Sequence, residues 1–375
     1  MREALALAER GRGRVRPNPL VGAVVVRNGR AVGRGFHGRL GGAHAEIEAL
    51  RAAGAKARGA TLYVTLEPCA HQGRTGPCVQ AVVDAGIAKV VAAVKDPFPE
   101  VCGRGFRGLR RAGVEVARGL LAVPARDLNA GYFSVHETGR PRVALKLAVS
   151  LDGRVAPSRG PSRWITGPVA RRAAHHLRAR HDVVVVGANT VRRDDPELTV
   201  REAPLPGRAQ PLRVVVSSDL ALSPGAKLFA RRLAKGTVVA SIAPDAQPRA
   251  RRAVFERRAK ALARRGVGLW FLPRAPSGGV DLGVLCARLA QEGRQDVLVE
   301  GGATLASAFA DQDLVDELWL FTAPVLLGSA APAWGFGDRA RAIPEAPRLE
   351  RPVVVPLAGD WVVHGRPGRP RRTHA

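Results

Sequence analysis

The stretch Leu66-Glu-Pro-Cys-Ala-His-Gln-Gly-Arg-Thr-Gly-Pro-Cys78, read with His44-Ala-Glu46, decides the first half of the chain. Zinc in proteins is bound by nitrogen and sulfur ligands, and catalytic sites keep three protein ligands with a fourth position for water. His44, Cys69 and Cys78 supply that ligand set. The motif His-x-Glu is weak evidence alone, but two Pro-Cys pairs follow it at this distance. The sequence therefore predicts a zinc site.

Glu46 is predicted to be the catalytic acid–base of this site rather than a ligand. In zinc deaminases a Glu beside the metal takes a proton from the activated water and serves the leaving nitrogen. Residues i and i+2 of a regular helix lie on different faces. His44 and Glu46 therefore converge only if they occupy the first turn of a helix, with Gly41-Gly42 before them.

Alternating strand-like and helical runs surround the zinc motif. A hairpin is predicted over 21–26 and 31–35, because Asn28-Gly29 between these runs is a strong two-residue turn signal. Further strands are expected at 61–64, 89–94 and 114–117, and helices at 43–53, 77–85, 106–111 and 124–132. This alternation predicts an α/β domain over residues 1–140, with its boundary near Arg140.

The second half alternates in the same way and predicts an α/β domain over residues 141–365. The segment Asp296-Val-Leu-Val-Glu-Gly-Gly-Ala-Thr-Leu-Ala306 reads as a buried strand, two glycines and a helix that starts near Thr304. Backbone N–H groups at such a start, together with the helix dipole, suit a cofactor phosphate. Residues 366–375, which are basic and rich in proline, are expected to be a disordered tail.

Three further polar segments of the second half also follow strand-like runs. They are 146–153, 162–166 and 187–201, and they carry hydroxyls, acids, arginines and Trp164. Each alone is consistent with ordinary loop chemistry. Together, at strand ends of one α/β domain, they predict a ligand crevice.

Composition narrows the classes of protein that remain. The chain has 375 residues, 46% of them hydrophobic, and a formal charge of +27. That charge invites a nucleic-acid-binding hypothesis. However, only seven of the 59 basic residues are lysine, and the charge is spread almost evenly over both halves, which favours a compositional bias. No apolar run approaches the ~20 residues of a membrane span, and four cysteines form no disulfide framework. We therefore expect a cytoplasmic protein.

The quoted motifs resemble a known family. Pro17-Asn-Pro-Leu-Val-Gly-Ala-Val-Val-Val26, together with the His44 and Cys69 motifs, is similar to the deaminase half of the bifunctional deaminase/reductase family of riboflavin biosynthesis. The resemblance implies a cytidine-deaminase-like three-layer α/β/α domain, with zinc on His44, Cys69 and Cys78 and Glu46 as proton shuttle. It also implies that Asn18 lines the substrate pocket. Gly76 departs from the family, which usually has a second proline there.

The second half resembles the reductase half of the same family, which implies a dihydrofolate-reductase-like domain that uses NADPH. The matching positions imply substrate contacts at Ser162, Arg178, Leu198, Arg201 and Glu300, where Arg178 and Arg201 suit a phosphate because a guanidinium can bind it bidentately. They imply cofactor contacts at Ala148, Trp164, Thr190, Asp194, Ser218, Gly302, Ala303, Thr304, Leu305, Ala306, Ser307 and Ala308.

The activity that the resemblance implies has two steps. The first is zinc-dependent hydrolytic deamination of 2,5-diamino-6-(5-phosphoribosylamino)pyrimidin-4(3H)-one. The second is NADPH-dependent reduction of the ribosyl side chain of 5-amino-6-(5-phosphoribosylamino)uracil to ribityl. The family also implies a homo-oligomer, and we expect neither nucleic acid nor membrane as a partner. The alternatives are a nucleotide or tRNA deaminase with an accessory domain, and a zinc-stabilised nucleic-acid-binding protein.

Overall fold

A computed structural model of the chain describes residues 1–70, 76–159, 164–205, 210–337 and 342–368. These residues form two compact units, the first from Met1 to Gly139 and the second from Arg140 onward. Within the described ranges, no helix combines the length and the apolar character that crossing a membrane requires.

The first unit contains a five-stranded sheet made of β1 (Gly22–Arg27), β2 (Arg30–Phe36), β3 (Thr61–Leu66), β4 (Lys89–Val94) and β5 (Glu115–Arg118). The strand order is β2-β1-β3-β4-β5. β1 is antiparallel to both β2 and β3, whereas β3, β4 and β5 are parallel. The parallel strands end on one edge, so the residues that follow β3 and β4 lie at that edge.

Six helices accompany this sheet: α1 (Arg2–Glu9), α2 (Ala45–Ala53), α3 (Cys78–Asp84), α4 (Arg104–Arg111), α5 (Ala122–Leu128) and α6 (Ala130–Thr138). α2 approaches β2 closely because Gly35 has no side chain. A Cβ atom at Gly35 would stand 2.2 Å from the Ala45 carbonyl oxygen. Small residues at this contact therefore fix the start of α2, which is the part that carries Glu46.

The second unit contains a nine-stranded sheet with the order β10-β9-β8-β7-β11-β6-β12-β14-β13. The strands from β10 to β12 in this order are parallel, and β14 and β13 extend the sheet antiparallel. Their bounds are β6 (Arg142–Ser150), β7 (Val183–Gly187), β8 (Leu212–Val216), β9 (Thr237–Ile242), β10 (Gly268–Leu272), β11 (Asp296–Glu300), β12 (Glu317–Ala323), β13 (Leu349–Leu357) and β14 (Asp360–Pro367).

Helices cover both faces of this sheet: α7 (Pro168–Ala179), α8 (Ala188–Asp194), α9 (Arg231–Ala234), α10 (Arg252–Arg264), α11 (Leu282–Gln291) and α12 (Ala303–Asp311). Both faces of the sheet are covered because its strands are apolar on both sides. All four valines of β7 are fully buried, and they alternate between two hydrophobic cores. Such uninterrupted apolar strands are typical of parallel sheets with both faces covered. The carboxyl ends of β6, β7, β8 and β11 meet at one edge, where a ligand crevice is expected.

Both units are α/β, as the sequence predicts, but several elements differ. The helix-like run over 124–132 is two helices separated at Asn129, and α6 extends beyond it to Thr138. β13, β14 and α8 were not predicted. β14 reaches Pro367, two residues beyond Gly365, where the sequence placed the end of the second domain. Residues 369–375 of the predicted tail lie outside the described residues.

Arg213 of β8 is a buried cation, 3% exposed. In the described part of the chain its partners are the Thr237 hydroxyl at 3.0 Å and the carbonyls of Pro211 and Leu233 at 3.2 and 2.8 Å. Burial lowers the pKa of this guanidinium. Arg213→Met should lower the free energy of unfolding by about 1–3 kcal/mol, because buried acceptors would lose their donors. Urea unfolding measures this; an equal loss in Arg257→Met, on the exposed face of α10, would contradict it.

Candidate active sites

A nitrogen and two sulfur atoms converge in the first unit. His44 Nδ1 lies 3.2 Å from Cys78 Sγ and 3.5 Å from Cys69 Sγ, and the three ligand atoms lie within 4.8 Å of one another. Zinc bonds of about 2.0 Å to nitrogen and 2.3 Å to sulfur place tetrahedral ligand atoms about 3.5 Å apart. The donor set and its spacing therefore fit one zinc ion.

Local structure brings these three residues together. His44 is the N-cap of α2, in an extended conformation that turns it toward the sheet edge. Cys78 is the first residue of α3, directly after Pro77. Cys69 lies in the loop after β3. The backbone N–H of Cys78 donates to Cys69 Sγ at 3.4 Å.

The electrostatics favour a thiolate at this site. The hydrogen bond from the Cys78 thiol, with those from His44 and the Cys78 backbone, lowers the pKa of Cys69 to about 4. The same hydrogen bond raises the pKa of Cys78, which holds the shared proton. The hydrogen bond with Cys69 raises the pKa of His44. A thiolate is the form in which cysteine binds metals.

Glu46 lies beside the cluster in the first turn of α2, as the sequence predicts. Its side chain is almost completely buried. Burial, together with the charge of Cys69, raises its pKa to about 7. A carboxyl group that exchanges its proton near neutral pH is suited to act as both base and acid.

Glu67 lies within the quoted zinc motif, and no role was predicted for it. Its buried carboxylate accepts hydrogen bonds from the backbone N–H groups of Asp96, Gly103 and Phe106, at 3.3, 2.9 and 3.1 Å. These bonds fasten the segment between β4 and α4 to the end of β3. Glu67 thereby fixes the backbone two residues before Cys69. The sequence feature that could have indicated this role is the position of Glu67 directly after a buried strand.

Asn18 lies in the loop before β1 and is joined to the metal cluster through His37. Asn18 Nδ2 is 3.2 Å from His37 Nε2, and His37 Nδ1 is 3.0 Å from the Ala43 carbonyl. The ring of His37 contacts that of His44 edge to face, with centroids 5.4 Å apart. Residues 71–75, between the two cysteines, lie outside the described residues.

The second unit has a cavity of about 1270 Å³ at the carboxyl ends of the parallel strands. This volume exceeds the ~300–1,000 Å³ of ordinary small-molecule pockets, so it has room for a cofactor and a substrate together. The predicted residues that line it are Ala148, Trp164, Arg178, Thr190, Asp194, Leu198, Arg201, Ser218, Glu300, Gly302, Ala303, Thr304, Leu305 and Ala308.

Two predicted residues do not line the cavity. Ala306 is fully buried in the core, and the Ser307 hydroxyl donates to the Gly335 carbonyl at 3.2 Å. Neither residue is among those that line the cavity, so the predicted contact range of 302–308 is interrupted at these two positions. This follows from helical geometry, which turns consecutive residues toward different faces. Ser162 lies outside the described residues.

The turn between β11 and α12 packs closely against Thr190. Gly301 has a φ of 148°, and a Cβ atom there would stand 2.9 Å from Thr190 Oγ1. The Thr190 hydroxyl is also 3.4 Å from the Gly302 backbone nitrogen. Gly302, which lines the cavity, is the N-cap of α12. The backbone N–H groups that have no partner within this helix therefore lie at the cavity. The helix begins at Ala303, one residue before the predicted start.

A buried group of charges forms one wall of the cavity. Arg178 donates to both carboxylate oxygens of Glu300, at 2.7 and 3.0 Å, and to the Thr199 carbonyl at 2.7 Å. Lys146 Nζ lies 3.9 Å from Glu300 Oε2. The sequence assigned Arg178 to a phosphate, but its bidentate edge holds the Glu300 carboxylate. Other N–H groups of the guanidinium remain for a ligand.

Arg201 is the more accessible arginine, with half of its side chain exposed. Its Nη1 donates to the Thr199 hydroxyl at 2.9 Å, and its backbone N–H donates to His175 Nδ1 at 3.3 Å. Sequence reasoning missed His175 and Lys146 as cavity residues. Lys146 stands in a segment that the sequence marked, but His175 offers no signal beyond its place on α7.

Comparisons with known proteins match both halves of the chain. Residues 1–94 match the family model of the cytidine and deoxycytidylate deaminase zinc-binding region, and residues 141–349 match that of the RibD C-terminal domain. The riboflavin biosynthesis protein RibD of Escherichia coli (strain K12) is 42% identical over 354 residues, which cover 88% of each chain. RibD of Aquifex aeolicus is 38% identical, over 97% of this chain and 96% of the relative.

Solved structures agree over nearly the whole length. Acinetobacter baumannii RibD superposes with a TM-score of 0.84 at 38% identity, covering 98% of both chains. A diaminohydroxyphosphoribosylaminopyrimidine deaminase/5-amino-6-(5-phosphoribosylamino)uracil reductase from Thermotoga maritima gives a TM-score of 0.81 at 33% identity, covering 98% of this chain and 97% of its own.

The fold and the two sites define a zinc-dependent deaminase joined to an NADPH-dependent reductase. Its two halves occur in the same order in the matched relatives, over most of the length of each. The chain belongs to the RibD family of bifunctional riboflavin biosynthesis enzymes.

Proposed function

We propose that the first unit hydrolyses the 2-amino group of 2,5-diamino-6-(5-phosphoribosylamino)pyrimidin-4(3H)-one, and that the second unit reduces the ribosyl side chain of the product to ribityl. The observation that carries the proposal is the presence of two candidate sites in one chain. One is a histidine–dicysteine cluster with a buried carboxyl group beside it, and the other is a cavity large enough for cofactor and substrate. The name of the Thermotoga maritima relative includes the substrates of its two activities, and this supports the choice of substrates.

In the deaminase unit His44, Cys69 and Cys78 would hold zinc, which would supply the Lewis acid that activates water for attack on the amine-bearing carbon. Glu46 takes the proton of that water and delivers it to the departing nitrogen. A C–O bond forms, the C–N bond breaks and ammonia leaves. The raised pKa of Glu46 supports this shuttle, because the carboxyl group can give up and regain a proton near neutral pH.

In the reductase unit NADPH supplies the hydride. We assign its phosphates to the start of α12 at Gly302–Leu305, with Thr190 supporting that turn. Ala148, Trp164, Asp194, Ser218 and Ala308 complete the cofactor side. Arg201 holds the substrate phosphate, and Ser162, Leu198, Arg178 and Glu300 contact the substrate. The strained φ of 53° at Leu198, inside the cavity wall, supports a functional position.

A coupled assay on the zinc-loaded enzyme tests the proposal. With the diaminopyrimidinone phosphate and NADPH, we expect ammonia release followed by NADPH oxidation, and a zinc content of one per chain. If ammonia is released from cytidine or deoxycytidylate but not from this substrate, the substrate assignment is wrong. If ammonia is released but NADPH is not consumed, the assignment of the second unit fails.

Arg201→Ala should raise the KM of the reductase for the phosphorylated substrate. A hydrogen bond to a charged group is worth about 1.5–3 kcal/mol, which corresponds to a rise of about 10- to 150-fold. Arg201 is half exposed, so its loss should not change folding. Arg193→Ala, on α8 at the same cavity, is the comparison for loss of positive charge alone. An unchanged KM in Arg201→Ala would remove the phosphate-anchor role.

The proposal also covers the cellular compartment and the oligomeric state of the enzyme. We propose a cytoplasmic enzyme, supported by four cysteines that are all free thiols. We further propose a homo-oligomer without nucleic-acid or membrane partners. Sedimentation and a salt-dependent DNA-binding assay test these two statements.

A further inference from the structure

We propose that His175 is a substrate-binding residue of the reductase unit, and that its Nε2–H group donates a hydrogen bond to the phosphate that Arg201 holds. This inference rests on the proposed function and deepens it, because it adds an uncharged donor to the phosphate site. His175 lies on α7, lines the cavity and is 7% exposed.

The position of the ring proton of His175 is fixed by its partner on the backbone. The backbone N–H of Arg201 donates to His175 Nδ1, with 3.3 Å between the two nitrogens. A backbone N–H can only donate, so Nδ1 must be the bare nitrogen of the ring. A histidine with a bare Nδ1 carries its proton on Nε2. Nε2–H is therefore a hydrogen-bond donor.

The surroundings of His175 agree with a neutral ring. Burial lowers the pKa of His175, and the positive charges of Arg178 and Arg201 lower it further. The carboxylates of Glu202 and Glu300 act in the opposite direction. They act through their charge, since neither is a hydrogen-bond partner of the ring in the described part of the chain. An imidazolium would also bring a proton on Nδ1 against the backbone N–H of Arg201.

The Nε2–H group of His175 has no hydrogen-bond partner among the described residues. Buried polar groups in proteins are nearly always hydrogen-bonded. Because His175 is more than nine-tenths buried and lines the cavity, we infer that the acceptor for this group comes from a molecule in the cavity.

The face of α7 that meets the cavity consists of donors, and this favours a phosphate as the ligand. Arg171, His175 and Arg178 are spaced by four and three residues, so they lie on one face of the helix, and all three line the cavity. None of them has an acceptor to offer, because the Nδ1 of His175 is taken by Arg201. Phosphate oxygens are acceptors, whereas a pyrimidine edge and sugar hydroxyls also carry donors. A phosphate therefore suits this face best.

One short segment holds His175 and both arginines together. Arg178 donates to the Thr199 carbonyl at 2.7 Å, and Arg201 Nη1 donates to the Thr199 hydroxyl at 2.9 Å. The side chain of Gln210 bonds to the backbone N–H and carbonyl of the residue between them, at 2.7 and 3.0 Å. The segment is thus fixed on several sides, and the His175 ring is bonded to its end. These contacts join the three donors into one anion site.

Two substitutions separate the roles of the two ring nitrogens. In His175→Gln the amide NH₂ can replace Nε2–H, and in His175→Asn the amide oxygen can replace Nδ1 as the acceptor for Arg201. In the full chain, His175→Asn should raise the KM of the reductase for the deaminated, phosphorylated substrate by about 10-fold or more. His175→Gln should keep most of the wild-type affinity. His176→Asn, the exposed neighbour on α7, is the matched control.

Ribitol 5-phosphate and ribitol, the side chain of the proposed product with and without its phosphate, locate the contact. Both are measured as competitive inhibitors of the full chain. The ratio of their inhibition constants gives the contribution of the phosphate, and it should fall by about 10-fold or more in His175→Asn. The affinity for NADPH should stay at the wild-type value in each variant, which shows that the unit is folded.

Equal losses in His175→Gln and His175→Asn, or a wild-type KM in His175→Asn, would overturn the inference and leave the proposed function intact. A loss in His175→Gln alone would also overturn it, because the ring would then serve only to support the Arg201 backbone. The ¹⁵N chemical shifts of His175 do not depend on activity. We expect a bare Nδ1 and a protonated Nε2, and a bare Nε2 would contradict the inference. Failure of the wild type to oxidise NADPH with the deaminated substrate would refute the proposed function itself.

Discussion

Glu46→Gln should lower the rate of deamination by about 10²–10⁴-fold, which is the usual contribution of a positioned acid–base group. Gln has the shape of Glu but cannot take a proton from water or return one to the leaving nitrogen. Glu46 is not a member of the histidine–dicysteine cluster, so the variant should bind zinc normally. Ammonia release and zinc content, measured on the same sample, check both parts of the prediction.

Two controls locate the effect at the acid–base step. NADPH oxidation with the deaminated substrate should be unchanged, since that reaction belongs to the other unit. Glu48→Gln, two residues further along α2 and 44% exposed, should leave deamination unchanged. A Glu46→Gln enzyme that releases ammonia at the wild-type rate would show that the proton travels by another group.

Glu300→Ala is expected to have the largest effect on the second unit. It would leave Arg178 and Lys146 buried without their carboxylate. Removing one partner of a buried ion pair typically costs about 3–5 kcal/mol, so the free energy of unfolding of this unit should fall by that amount. Reductase activity should be lost as well. Urea unfolding followed by tryptophan fluorescence measures the first effect; if stability is unchanged, the pair contributes nothing to the fold.

The pH dependence of stability gives a second readout of Glu300. Burial alone would raise its pKa, but the charge and hydrogen bonds of Arg178 outweigh burial and hold the pKa at about 2, below the usual 4.5. A lowered pKa means that the unfolded chain binds the proton more readily. The stabilisation is therefore complete above pH 4.5 and is lost as the pH falls toward 2. Glu300→Gln should flatten this dependence, whereas Glu292→Gln on the surface should not.

The zinc site could be predicted from the sequence because its ligands depend on local structure. His44 and Glu46 begin one helix and Cys78 begins another, so proline, glycine and spacing were sufficient to bring them together. The pairing of Arg178 with Glu300 could not be predicted in this way. The two residues are 122 positions apart on α7 and β11, and their contact depends on sheet order and side-chain conformation.

The elements that were missed have physical reasons of their own. Pro352 and Pro356 interrupt β13 and weaken its strand signal, yet they are tolerated because β13 is an edge strand and needs fewer N–H donors. The short helix α8 has one buried residue, Val191, and therefore shows no apolar period. In both cases the stabilising contacts come from the neighbouring sheet and not from the segment itself.

Asn129 determines where the deaminase half can be separated from the rest of the gene. Its side chain accepts from the Leu20 N–H at 2.7 Å and donates to the Leu20 carbonyl at 2.8 Å, and thus imitates a neighbouring strand. Leu20 is two residues from Asn18. A shortened polypeptide that ended with the family match at residue 94 would lack this clamp. A deaminase unit separated from the rest of this chain should therefore end at Gly139, where the loop that carries Asn18 keeps this support.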